Sequence, residues 1–100
     1  IPIQRLKVDG GACQNDFLMQ FQADVLGIAI ERPQILDTTA QGAAFAAGLA
    51  SGFWQDYRSL IDSRSIDQVF EPGQGASSAQ DNYALWQKAV ERSKRWIEKL

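Results

Sequence analysis

Leu6-Lys7-Val8-Asp9-Gly10-Gly11-Ala12-Cys13-Gln14-Asn15-Asp16-Phe17 reads as a short strand, a glycine hinge and the start of a helix. Leu6 and Val8 alternate with Arg5, Lys7 and Asp9, the period-2 pattern of a half-buried strand. Gly10-Gly11 breaks that strand, because paired glycines reach positive φ and put no Cβ in the way of a ligand. Asn15 or Asp16 can cap the helix that follows, whose apolar face begins at Phe17. A bare turn feeding a helix N-terminus presents free N–H groups and the positive end of the helix dipole. Such a place suits an anion or the edge of a nucleotide. A tight βα connection chosen for packing alone would use the same two glycines, and neither G-x-G-x-x-G nor G-K-S/T occurs in the chain.

Outward from the turn, Ile1 to Val8 is the first expected strand, with Pro2 tolerable at its start. Phe17, Leu18, Phe21, Val25 and Leu26 recur at helical spacing opposite Gln20, Gln22 and Asp24, which predicts an amphipathic helix closed by Gly27. Ile28 to Arg32 is a second short strand ended by Pro33. Thr38-Thr39-Ala40-Gln41 has the form of a capping box and predicts a helix from Ala40 to about Gly52. That helix is nearly all small residues, and its interior Gly42 and Gly48 predict close approach of a neighbour rather than high helix propensity.

Asp56 to Ser65 is expected as a short helix or surface excursion, and Val69 to Gly73 as an extended piece closed by a turn. Ser77 or Ser78 is expected to cap a final helix from about Ala79 to the end, with Tyr83, Trp86, Val90, Ile97 and Leu100 as its apolar stripe. Glu91–Arg95 and Lys94–Glu98 are spaced to pair along it. The order strand-helix-strand-helix-excursion-helix predicts an α/β fold with a mostly parallel sheet. Two strands do not make a stable sheet, so further strands are expected from elsewhere, and the chain is expected to be the C-terminal part of a longer polypeptide.

The 100 residues are 45% hydrophobic and 22% charged, an ordinary globular composition, and the net charge of −2 argues against nucleic acid as the main partner. The last fourteen residues carry five cations against two anions, which reads as a solvated helix face. One Cys excludes an internal disulfide and fits a reducing compartment, so a cytoplasmic location is expected. The small-and-apolar run Ala43–Ala50 is far short of the ~20 residues that span a bilayer, so no membrane span is expected.

Among chemistry-bearing residues, Cys13 sits near a helix N-terminus, but without any His in the chain the Cys–His arrangement is impossible within it. Asp9 stands at the C-terminal end of a strand, where it can fix the turn or serve a ligand. No Cys/His/Asp cluster has metal-ligand spacing, and no metal site is expected in this chain. Gly10, Gly11 and Asn15 are the sharpest local hypothesis. The glycines let backbone approach a flat ligand, and the Asn15 amide can meet a base or ribose as well as cap the helix. Trp54, Trp86 and Trp96 read as packing residues rather than a stacking platform.

The run Val8-Asp9-Gly10-Gly11-Ala12-x-x-Asn15-x-Phe17-Leu18-Met19-Gln20-Phe21-Gln22-Ala23-Asp24-Val25-Leu26-Gly27 resembles the C-terminal adenosine-motif region of the FGGY carbohydrate kinase family. The resemblance continues through Glu31-Arg32-Pro33, Thr38-Thr39-Ala40-Gln41-Gly42-Ala43-Ala44-Phe45, Gly48-Leu49-Ala50, Gly52-Phe53-Trp54, Phe70-Glu71-Pro72 and Tyr83-x-x-Trp86, and so covers effectively the whole chain. Gln41 departs from the pattern, which commonly has Leu there.

The resemblance implies a partial ribonuclease-H-like (actin-like ATPase) domain, with residues 1–100 the C-terminal portion of the second, nucleotide-binding domain. It implies ATP/ADP with Mg²⁺, nucleotide contacts from Gly11 and Asn15, and a turn shaped by Gly10 and Ala12. The Mg²⁺ ligands, the catalytic carboxylate and the sugar-alcohol pocket are expected in segments before Ile1, so no catalytic residue is expected here and this piece alone is not expected to be active. Glycerol is the substrate that the Asn-x-Phe-Leu-Met-Gln-Phe-Gln run favours. Xylulose, ribulose and gluconate kinases of the same family are alternatives, as is a non-catalytic association module. The complete enzyme is expected to be a homo-oligomer.

Overall fold

The computed structural model describes residues 1–97. Three strands form one sheet in the order β1-β2-β3: β1 is Arg5–Lys7, β2 is Ala29–Pro33 and β3 is Ile66–Phe70. β1 and β2 run parallel, with Leu6 opposite Ile30 and Lys7 opposite Glu31. β2 and β3 run antiparallel, with Ile30 opposite Phe70 and Arg32 opposite Gln68. The ladder is irregular between Arg32 and Pro33, where the residue without an N–H closes the strand. β2 is the hydrophobic-and-charged centre of the sheet, and Ala29, Ile30, Glu31 and Arg32 are all buried.

Four α-helices accompany the sheet: α1 Asp16–Leu26, α2 Thr38–Ser51, α3 Tyr57–Asp62 and α4 Ala76–Ser93. A short 3-10 turn, Gly11–Gln14, connects β1 to α1. α1 lays Met19 and Ala23 on Ile30 and Phe70, and Cys13 closes the end of this small core, with Val8, Leu18 and Leu36 at its margin. α4 packs on the far side of α1. The loop between β3 and α4 is pinned by buried Asp24 of α1. Its Oδ1 accepts from the Gly73 N–H at 2.8 Å and from Gln20 Nε2 at 3.0 Å, while Gln20 Nε2 also donates to the Glu71 carbonyl at 2.8 Å.

Several expectations change here. Asp56 to Ser65 holds the short helix α3 as expected, while the extended piece that follows is a strand, β3, which begins at Ile66 rather than Val69. β3 supplies a third strand from within the chain, and its antiparallel pairing makes the sheet mixed instead of mostly parallel. Only its last two residues, Val69 and Phe70, turn out of solvent, which is why the pattern there is faint. α2 starts two residues early, at Thr38, because Asp37 caps it: Asp37 Oδ1 accepts from the Ala40 N–H at 3.1 Å. An Asp one step upstream offers the capping acceptor, so the Thr38 hydroxyl is free and donates to Asp9 instead.

α4 starts at Ala76 with no side-chain cap, and the Ser78 hydroxyl donates back to the Gly75 carbonyl. It ends at Ser93, so Arg95 lies beyond the helix and the pair that forms is Lys94–Glu91, at 2.7 Å. Glu98 and Leu100 lie outside the described residues. Ile97, Trp86 and Trp96 are exposed rather than packed.

The close approach expected of α2 belongs to Gly48, which meets Trp54, whereas a Cβ at Gly42 meets nothing within 4 Å among the described residues. α2 and α3 make no extensive contact with any other element. The radius of gyration is accordingly 18.7 Å, against about 13 Å for a self-contained domain of this length.

Candidate functional site

The turn between β1 and α1 is built as its sequence requires. Gly10 has φ 84° and ψ 171°, a conformation that L side chains rarely adopt. The Cys13 N–H donates to the Gly10 carbonyl and the Asn15 N–H to the Ala12 carbonyl, each at 3.2 Å, which winds the single 3-10 turn. Asn15 then caps α1, its Oδ1 accepting from the Leu18 N–H at 3.0 Å. Gly10, Gly11, Ala12 and Asn15 are all exposed, and a Cβ at either glycine would meet nothing within 4 Å. Of the four residues singled out from sequence, Gly10 and Gly11 line a common cleft, whereas Ala12 and Asn15 are exposed outside its lining.

The glycine turn faces the start of α2 across a cleft of about 400 Å³, lined by Asp9, Gly10, Gly11, Gln14 and residues 36–39. Two bonds hold the walls together. The Gly10 N–H donates to the Leu36 carbonyl at 3.1 Å, and the Thr38 hydroxyl donates to Asp9 Oδ2. Asp9 is therefore a tie between the end of β1 and the start of α2. Leu36, Asp37, Thr38 and Thr39 were not singled out as site residues from sequence. Their proximity depends on the parallel β1–β2 pairing, and the only local signal was the polar cluster before α2.

The cleft's electrostatics select among ligands. Its lining includes the carboxylates of Asp9 and Asp37 and neither Lys nor Arg. Carboxylates accept from ribose hydroxyls or an exocyclic amine and repel phosphate. The geometry admits a flat, hydroxyl-bearing group against bare glycine backbone. Among the described residues no group of three His, Cys, Asp or Glu side chains converges to hold a metal ion.

Cys13 is buried, and its thiol donates to the Asp9 carbonyl at 2.6 Å. Burial, seconded by the charge of Asp9, pushes its pKa up from the ordinary thiol value, and Arg32 only partly opposes this. A thiol held protonated and inward is a packing group. No helix among the described residues is long and apolar enough to cross a membrane.

The fold of the chain is similar to that of solved kinases. The chain superposes on Plasmodium falciparum glycerol kinase, whose structure was solved with ADP, with a TM-score of 0.73 and 31% identity over 95% of this chain and 19% of that one. It also superposes on a ligand-bound xylulose kinase from Lactobacillus acidophilus, with a TM-score of 0.66 and 22% identity over 89% of this chain and 19% of that one, a likeness of fold. The architecture is a piece of the actin-like ATPase fold.

A family model described as the C-terminal domain of the FGGY family of carbohydrate kinases matches residues 1–51. The chain belongs to the FGGY family of carbohydrate kinases. It is 68% identical over 97 residues to a glycerol kinase of Acaryochloris marina and 66% identical over 96 residues to one of Nostoc sp.. These alignments take in 97% and 96% of the chain, which spans about a fifth (19%) of the length of each of these curated relatives.

Proposed function

We propose that this chain is the adenosine-binding portion of an ATP-dependent glycerol kinase, which turns glycerol and ATP into glycerol 3-phosphate and ADP. Residues 1–100 would be the C-terminal portion of its nucleotide-binding domain. The observation that carries this reading is the open cleft at Gly10–Gly11, where the two glycines put no side chain in the way and the turn faces the start of α2. The high identity to glycerol kinases supports glycerol over xylulose, ribulose or gluconate as the acceptor.

In this reading Gly11 and Asn15 contact the adenine nucleotide, while Gly10 and Ala12 shape the turn. The bare backbone lets the base lie close, and the cap at Asn15, whose Oδ1 accepts from the Leu18 N–H, leaves its amide group free to donate to the nucleotide. The two carboxylates orient the site toward base and ribose, so phosphates fall to residues outside this chain. So do Mg²⁺, the glycerol pocket and the group that takes the glycerol hydroxyl proton. Mg²⁺ bound with ATP would neutralise charge on the phosphates. Phosphoryl transfer depends on positioning and charge stabilisation, and this chain contributes the positioning of the adenosine end. The complete enzyme is read as a cytoplasmic homo-oligomer.

The test is ATP-dependent phosphorylation by the complete protein, comparing glycerol with xylulose, ribulose and gluconate. Selective turnover of glycerol is the expected result. Selective turnover of another polyol would keep the nucleotide site and replace the substrate. No turnover of any of the four would overturn the kinase reading in favour of an association module.

A further inference from the structure

Arg32 reaches from the central strand to the turn that forms the cleft. Its guanidinium uses all three nitrogens. Nη1 donates to the Cys13 carbonyl at 2.8 Å and to Asp16 Oδ1 at 2.7 Å. Nε donates to Asp67 Oδ2 at 2.9 Å, and Nη2 lies 2.8 Å from the same oxygen and 3.4 Å from Gln68 Oε1. The carbon of the guanidinium stands 5.1 Å from the centre of the Phe70 ring. One buried cation thus ties β3, the 3-10 turn and the first residue of α1 to β2.

The turn needs such a tie. Gly11, Ala12, Gln14 and Asn15 are exposed, and Cys13 is its only buried member. Paired glycines lose much backbone entropy on ordering, and a single 3-10 turn is a weak restraint. Besides the bonds within this segment, the Gly10 N–H on Leu36 holds one end and Arg32 on Cys13 and Asp16 holds the other. Arg32 does not line the cleft and hydrogen-bonds to none of Gly10, Gly11, Ala12 and Asn15, and its partners Cys13 and Asp16 lie on either side of Gln14 and Asn15.

We propose that Arg32 is a positioning residue for the nucleotide, presetting the Gly10–Asn15 turn through the Cys13 carbonyl and the Asp16 carboxylate. The inference rests on the nucleotide reading of that turn. Its planar fork is what the job requires, since a lysine ammonium keeps the charge but cannot span acceptors on two sides.

The experiment is steady-state kinetics of the complete enzyme carrying Arg32→Lys, Arg32→Gln or Asp67→Ala, with ATP and glycerol varied in turn. Arg32→Lys is expected to raise the KM for ATP by about tenfold, the scale of one lost charge-assisted hydrogen bond. The KM for glycerol should stay unchanged, and Arg32→Gln should be worse than Arg32→Lys. A fall in kcat or melting temperature with both KM values unmoved would show a purely structural residue and overturn the inference. Asp67→Ala carries the same test if the Arg32 variants do not fold, because Asp67 is half-exposed on β3 and acts on the turn only through Arg32. There a several-fold rise in the KM for ATP supports the inference, and an unchanged value overturns it.

Asn15→Ala separates the two levels. If it leaves the KM for ATP unmoved, the nucleotide reading fails and takes this inference with it. If it raises that KM while Arg32→Lys and Asp67→Ala do not, only the role of Arg32 is lost.

Discussion

The six-membered ring of Trp54 rests so closely on Gly48 that a Cβ at Gly48 would overlap Cε3 and Cζ3. The contact follows from the way α2 ends. Gly52 takes a left-handed conformation with φ 81°, and the Phe53 and Trp54 N–H groups both donate to the Gly48 carbonyl, at 2.8 and 3.3 Å. The chain folds back at this cap, and Trp54 meets Phe45 and Phe53 edge to face. Gly48→Ala should therefore destabilise the protein by about 1–3 kcal/mol, the cost of overpacking a filled site. Gly42→Ala, on the open part of the same helix, should instead be neutral or gain up to ~1 kcal/mol from helix propensity. Urea unfolding of the two variants checks the contrast, and equal effects would contradict it.

Asn15 holds two roles at once in our reading, and one substitution separates them. Aspartate caps helices as well as asparagine does, so Asn15→Asp should preserve the bond to the Leu18 N–H and the stability of α1. It removes the amide donor and adds a negative charge next to the glycine turn. We expect the melting temperature of the complete enzyme to hold while the KM for ATP rises several-fold. An unchanged KM would leave Asn15 as a cap and nothing more.

Cys13 should resist alkylation. Burial first, then the charge of Asp9, raises its pKa, so the thiolate that would react is scarcer than in a free cysteine as well as shielded. At pH 8 iodoacetamide should label the native protein far more slowly than the urea-unfolded one. Similar rates would mean that the turn opens freely.

Asp56 makes α3 sensitive to acid. Its carboxyl is held below the ordinary carboxylate range by the Ser59 backbone N–H, at 2.7 Å, and then by the Ser59 hydroxyl, at 2.8 Å. A depressed folded-state pKa stabilises above the unfolded value of about 4 and loses that contribution as pH falls through the lower folded value. Amide exchange in α3 should therefore gain protection from acid to neutral pH, with the change centred below pH 4. Asp56→Asn keeps a capping acceptor and should abolish that pH dependence.

Much of the site was readable from residues 6–17 because its causes are local. A glycine pair that must turn, an asparagine able to cap and an apolar stripe starting at Phe17 act within one or two turns of chain, and Gly10, Asn15 and α1 appear where they predict. The errors cluster where two distant pieces compete for one group. Thr38 looked like a cap, but Asp37 capped the helix and Thr38 bonded Asp9, 29 positions away. Ile66-Asp67-Gln68 belongs to no element expected from sequence because its polar side chains face outward and toward Arg32, and only pairing with β2 makes it a strand. Trp86 and Trp96 looked like packing residues by type, yet they are exposed in this chain.

The sequence by itself determined the glycine turn and the helix that follows it, since backbone freedom, capping and periodicity are properties of neighbouring residues, and its motifs carried the resemblance to carbohydrate kinases. Only the tertiary structure decided that β3 runs antiparallel, that Gly48 rather than Gly42 receives a neighbour, and that Leu36–Thr39 forms the second wall of the cleft. It alone placed Arg32 beneath the turn. These depend on which distant groups meet, and one buried guanidinium between Asp16 and Asp67 must satisfy partners 16 and 35 positions away in the chain.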